Sequence, residues 1–195
     1  MYNGTDFYGK DNIGYGFRTD FPESTGNCGL CHAPGASYDN PWDCNLNEVE
    51  GINKDGVFCY FCHSIYDVNK DMTGQGDMGV LSIRVIRPSP GEELFFGPYD
   101  DVDAEGDSKN PLQNSSYLCA PCHNGKFWNI PIYTSFPEWL ESPYPGKGIE
   151  CQTCHMPPYE DKTKFAVMPE DHSGNPIILD RDPVTIFSHL MPVSY

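Results

Sequence analysis

Two cysteines with two residues between them, followed at once by a histidine, recur four times in this chain. The four copies are Cys28-Gly29-Leu30-Cys31-His32, Cys59-Tyr60-Phe61-Cys62-His63, Cys119-Ala120-Pro121-Cys122-His123 and Cys151-Gln152-Thr153-Cys154-His155. In a C-x-x-C-H motif the two thiols become thioethers to the vinyl groups of a haem, and the adjoining histidine sits under the iron as its proximal ligand. C-x-x-C alone would also serve half a zinc site, a redox dithiol or a disulfide, but none of these gives a reason for histidine to follow every second cysteine. The reading is therefore four covalent c-type haems, attached at Cys28, Cys31, Cys59, Cys62, Cys119, Cys122, Cys151 and Cys154. His32, His63, His123 and His155 are the proximal iron ligands.

Each haem iron has a second axial position, so four haems held by histidine pairs would need eight histidines, and the chain has 6. His172 and His189 are the two left for distal sites. Exchange of a histidine between identical subunits does not change the count, because each subunit that receives one also gives one. Met72, Met78, Met168 and Met191 are the thioether candidates for the remaining positions. Methionine ligation would raise the potential of that haem relative to a bis-histidine site. The ninth cysteine, Cys44, lies outside every motif and reads either as a buried inert thiol or as a free or intermolecularly paired one.

The elements that must position these groups are short. With 195 residues, 19 Gly and 18 Pro, the chain has few segments of sustained periodicity. A polypeptide of this kind is poorly placed to build a large side-chain core, and four porphyrins would supply the missing apolar surface. The expected fold is mainly α with little regular secondary structure: a loop-rich domain with a short β-hairpin, the haems forming the core, and an apoprotein largely unfolded without them.

The motif cysteines begin at 28, 59, 119 and 151, two close pairs separated by a longer insert. Gly56-Val57-Phe58 precedes Cys59 as Gly148-Ile149-Glu150 precedes Cys151, which points to a duplicated two-haem module. The organisation is thus one tetrahaem domain over 1–195, with an irregular arm at 1–26, one haem pair at 27–70, an insert at 71–112 and a second pair at 113–195. The arm carries Tyr2, Phe7, Tyr8, Tyr15, Phe17 and Phe21, which would pack on their own domain, cover a haem face or dock on a neighbour.

In the insert, Val80 to Ile86 is rich in β-branched residues and reads as a strand, with Leu94 to Phe96 as its hairpin partner. Asp101, Asp103, Glu105, Gly106 and Asp107 match the first half of a calcium loop, but Leu112 stands where the bidentate Glu belongs, so a solvated acidic turn competes with a calcium site. The clearest helix is expected at 136–142, with Ser135 and Glu138 as a capping box and Pro143 ending it.

A formal net charge of −16 argues against nucleic acid or an anionic membrane as partner and favours a basic redox partner protein. No stretch approaches the ~20 apolar residues of a membrane span. Residues 1 to 25 show no secretory signal, so the chain is expected to be a mature product working in the periplasm or outside the cell.

With these residues in view, the sequence resembles the multihaem family that includes the tetrahaem electron-transfer cytochrome of ammonia oxidisers and many cytochromes of metal-reducing bacteria. The resemblance rests on the four motifs and their flanks: Gly56 to Ile65, Gly97-Pro98-Tyr99-Asp100-Asp101, Glu138 to Tyr144, Gly148 to Pro157, and Ser188-His189-Leu190-Met191-Pro192. It implies a loop-rich, mainly helical fold around closely packed haems, with the terminal histidine as a distal ligand. Family members often carry a distal histidine soon after the Gly-Pro-Tyr-Asp-Asp phrase, whereas Ala104 to Asn110 contain none. Some similar tetrahaem cytochromes assemble into extracellular conductive filaments. The function expected is electron transfer, as a carrier or as a filament subunit, in contact with redox proteins or identical subunits. The alternatives are a small haem enzyme acting on a nitrogen or sulfur compound at a five-coordinate iron, and an electron-transfer subunit of a larger complex. Pyridine haemochrome assay with intact-mass spectrometry of the exported protein is expected to give four haems per chain, and Cys154→Ser to disturb attachment at the fourth motif alone.

Overall fold

The structure is a computed structural model that describes residues 2–4, 9–10, 13–71, 78–92, 94–99, 107–127, 130–158 and 187–189. Met72, His172, Met168, Met191 and residues 101–106 of the acidic loop lie outside them. Seven α-helices are present among the described residues: α1 (Phe17–Asp20), α2 (Gly29–His32), α3 (Pro34–Ser37), α4 (Cys59–Ser64), α5 (Ala120–His123), α6 (Ser135–Glu141) and α7 (Cys151–His155). The longest, α6, has 7 residues. Helices this short are not stable by themselves in water, so tertiary contacts must hold them. Six strands form three two-stranded sheets: β1 (Ile65–Val68) with β2 (Ile83–Val85), β3 (Phe95–Gly97) with β4 (Asp107–Lys109), and β5 (Gly125–Phe127) with β6 (Ile130–Tyr133). The loop-rich architecture with little regular structure is as the composition leads one to expect.

Two details of the insert differ from the sequence reading. The run from Val80 does not start as a strand, since Gly79–Ser82 is a 3-10 turn and only Ile83–Val85 is extended. Val80 and Ile83, three apart, both turn into the core, which is the period of a 3-10 turn and not the alternation of a strand. The partner also differs: β2 pairs antiparallel with β1 directly after the second motif, while β3 pairs in parallel with β4. At α6, Thr134 and not Ser135 is the N-cap residue, and its hydroxyl donates to the Glu138 carboxylate at 2.6 Å. Pro143 follows the helix end as expected.

The main apolar cluster is Leu30, Phe61, Ile65, Val68, Val80 and Ile83, with Phe58, Leu81, Val85, Leu112 and Tyr117 packed around it. Leu30 and Phe61 are the inter-cysteine residues of the first two motifs, so the core is assembled on the backs of the motif helices. Fully burying a side chain of this size contributes about 1.5–3 kcal/mol. A second contact set forms where Phe136 of α6, 4% exposed, meets Tyr117 edge-on at 5.1 Å and Trp139 at 5.6 Å. In the amino-terminal arm Tyr2 stacks on Phe17 and donates its hydroxyl hydrogen to Thr25 O or Asn45 Oδ1, whereas Tyr15 is 95% exposed.

Where the insert folds back on the first motif, Gly79 has φ +56°, and a Cβ there would lie 2.0 Å from the Leu30 carbonyl oxygen and 2.4 Å from its carbon. Neither backbone atom can move without displacing α2. Gly79→Ala is therefore expected to destabilise the haem-loaded protein by about 3 kcal/mol or more, read as a lowered midpoint in chemical denaturation.

Candidate haem-ligand site

A helical turn places residues i, i+3 and i+4 on one face, so the two cysteines and the histidine of each motif share a side and the residues between the cysteines take the other. Burial follows this division. Gly29 and Leu30, Phe61, Ala120 and Pro121, and Gln152 are buried, while His32, His123 and His155 are exposed and His63 is half-buried.

The motifs fall into two conformational pairs. In the first and third, Cys28 and Cys119 precede the helix in the αR region, and the residues after it, Ala33 and Asn124, have φ of −142° and −140°. In the second and fourth, the cysteine opens the helix and an extended residue caps it, Phe58 or Glu150. Both of these are reached through a 3-10 turn, Gly51–Asp55 or Pro145–Lys147, ended by a glycine at positive φ, Gly56 at 74° or Gly148 at 67°. The shared Gly-Val/Ile phrase thus supplies a positive φ at both places, which L-residues with a side chain rarely adopt, although ψ differs, −106° at Gly56 and 24° at Gly148.

Buried polar side chains hold the motifs together. The Gln113 amide nitrogen donates to the carbonyls of Cys62 at 3.2 Å and Ile65 at 3.3 Å, fixing the end of the second motif. Gln113 O in turn accepts from the Gln152 amide at 3.2 Å, which also reaches Ser115 O at 2.9 Å. Next to it, Ser116 Oγ accepts from Cys151 N at 2.8 Å and Ser116 N donates to the Glu150 carboxylate at 2.8 Å. That carboxylate also closes a capping box with Thr153 at the start of α7. Residues 113–116, directly ahead of the third motif, thereby tie the second motif to the fourth. Trp139 Nε1 adds a bond to Ile149 O at 2.8 Å.

Thiols of different motifs also meet. Cys31 of the first motif hydrogen-bonds Cys122 of the third, which lowers Cys31 and raises Cys122. Cys119 of the third pairs with Cys151 of the fourth; the bond from Cys119, helped by Ser116, brings Cys151 down to about 6, while Cys119 is pushed up. Partial desolvation and the charge of His155 hold His123 below the usual histidine range, so the third and fourth histidines are neighbours too. All nine cysteines are free thiols. Cys44, 7% exposed, has its sulfur 2.8 Å from where a Cβ on Gly29 would lie, and burial pushes its thiol up.

His63 is the most elaborately held of the histidines. Its Nδ1 lies 2.6 Å from Phe96 O, an acceptor, so Nδ1 carries the proton and Nε2 keeps its lone pair for a metal. Phe95 stacks on the same ring at 4.2 Å and 13°. Across from it, the His189 ring lies 6.0 Å away, centroid to centroid, inclined by 36°. A metal between two imidazoles needs a bond of roughly 2 Å to each nitrogen and ~1 Å more to each ring centre, which sets the centroids about 6 Å apart. The separation of the two rings matches that span. Among the described residues no three His, Cys, Asp or Glu side chains cluster to hold a metal ion.

Met78, the described thioether candidate, is 6% exposed, with its sulfur packed against Gly125 just past the third motif. Phe95, Phe96, Gln113 and Ser116 were not singled out as site residues, because nothing local links them to a motif, and Glu150 and Gln152, in the fourth motif's lead-in and in the motif itself, carry no local sign of their partners at 113–116. Comparison of the chain with protein-family models, with curated proteins and with solved structures found no match. No described helix is long and apolar enough to cross a membrane. Replacing Gln113 by Leu would remove one donor each from the Cys62 and Ile65 carbonyls, which keep Ile65 N–H and the Asn110 amide, at an expected cost of about 1 kcal/mol in unfolding free energy by chemical denaturation; Ser116→Ala should cost about 1 kcal/mol.

Proposed function

We propose that this chain is a tetrahaem c-type cytochrome that transfers electrons outside the cytoplasmic membrane. The observation that carries the reading is the recurrence of four C-x-x-C-H turns on one scaffold, with the second and fourth tied together through residues 113–116. Haem supplies one-electron redox chemistry when bound. The eight motif cysteines hold it covalently, and His32, His63, His123 and His155 ligate from the proximal side. His189 serves as the distal partner of His63. The Phe96 carbonyl fixes the His63 tautomer and raises its basicity, which favours the oxidised iron. The matched conformations of the first and third motifs, and of the second and fourth, support a duplicated two-haem module.

At least one inter-cysteine residue of each motif is buried, Leu30, Phe61, Pro121 and Gln152 among them, which leaves the histidine face of each turn for the porphyrins, so they would extend the small apolar core. A net charge of −16 suits docking to a basic redox partner. A carrier and a filament subunit would use the same site, and electron microscopy of purified material separates them.

The test is an EPR and potentiometric study of the loaded protein with His189→Met. The variant is expected to raise the midpoint potential of one haem and leave the other three unchanged, since Met/His ligation sits higher than bis-histidine. A protein without haem, or one that turns over a nitrogen or sulfur compound at a high-spin iron, would overturn the assignment.

A further inference from the structure

We propose that Phe95 is a positioning residue for the second motif: its ring sets the plane of the His63 imidazole and with it the angle between His63 and His189. This rests on the reading that these two histidines flank one haem iron.

The hydrogen bond from Nδ1 to Phe96 O settles which nitrogen carries the proton, but carbonyl oxygens accept over a broad range of directions, so that bond does not by itself set the plane of the ring. A flat partner removes that freedom. Phe95 lies parallel to the imidazole within 13° at a centroid distance of 4.2 Å, closer and flatter than the Tyr60–Phe95 or His63–His189 ring pairs. Tyr60, from the first turn of α4, stands 6.5 Å from the other side of the Phe95 environment and is tilted by 40°, so Phe95 belongs to a small aromatic group and is not an isolated contact.

The strand that presents Phe95 is itself restrained. β3 pairs with β4, Asn110 N donates to Gly97 O at 2.7 Å, and Phe96 is 8% exposed, facing the core as its neighbour faces His63. Alternation along the strand therefore splits the work: Phe95 stacks, Phe96 anchors, and the Phe96 carbonyl accepts the hydrogen bond from Nδ1. Asn110 also donates to the carbonyls of Ile65 and Tyr66, directly after α4, so the strand and the histidine's helix are referenced to the same residue. A side chain that only filled space would need bulk here, not a flat face.

The consequence is spectroscopic. The electronic splitting of a low-spin ferric haem depends on the mutual angle of its two axial imidazole planes, so a change in the 36° between His63 and His189 alters the g anisotropy of that one centre.

The experiment compares EPR spectra of the fully loaded wild type, His189→Ala, Phe95→Leu and Phe95→Tyr, with haem count by intact mass on each. His189→Ala is expected to abolish one low-spin signal and so to mark it. Phe95→Leu, which keeps the bulk, should retain four haems while shifting or broadening that same signal alone. Phe95→Tyr, which keeps the flat ring, should restore the wild-type line. A Phe95→Leu protein with four haems and an unaltered marked signal overturns the proposal and leaves the axial pair standing. If His189→Ala changes no signal, the axial pair itself is wrong, and the role of Phe95 falls with it.

Discussion

A single residue, Gln113, joins through its side-chain amide and its backbone carbonyl parts of the molecule that short helices could never hold by themselves. Its nitrogen serves two carbonyls at the end of the second motif, and its backbone oxygen receives the amide of Gln152 inside the fourth. Both glutamines are buried, at 8% and 5% exposure, so an unmade bond on either would cost far more than a surface one. Around this relay the Ser116 hydroxyl and the Glu150 carboxylate fasten the start of α7. The geometry of the candidate haem turns thus depends on a buried polar network more than on helix propensity, which is negligible for segments of four to seven residues.

Apolar packing contributes in a complementary way. Because cysteines and histidine occupy one side of each turn, the residues between the cysteines are free to become core, and Leu30 and Phe61 do so together with Val80 and Ile83. The side of the protein that faces inward is built from side chains, and the opposite side is left to whatever the cysteines and histidines carry. Cys44 belongs to the inward side, where its bulk makes glycine the only residue that position 29 tolerates.

The histidines are held unequally. His63 has a carbonyl on Nδ1, an aromatic ring on its face and a second imidazole opposite. His32, His123 and His155 are exposed, and partial desolvation with the charge of His155 holds His123 below the usual histidine range. If axial environment tunes potential, these differences are where the four centres would diverge.

From the sequence alone one can read that four turns each bring two thiols and a histidine to one face, that histidines are too few for four bis-histidine irons, and that the flanking Gly-Val/Ile phrase is used twice. All of these follow from spacings of a few residues, which local backbone geometry converts directly into shape. Tertiary structure alone decided that His63 looks at His189, that Cys31 meets Cys122 and Cys119 meets Cys151, and that Phe95 lies flat on an imidazole. It also overrode the strand expected from Val80, since burying Val80 and Ile83 together required a 3-10 turn, and it moved the cap of α6 to Thr134. Such pairings join residues far apart in the chain, and they arise from burying apolar surface and satisfying buried hydrogen bonds at once, a condition that no local pattern encodes.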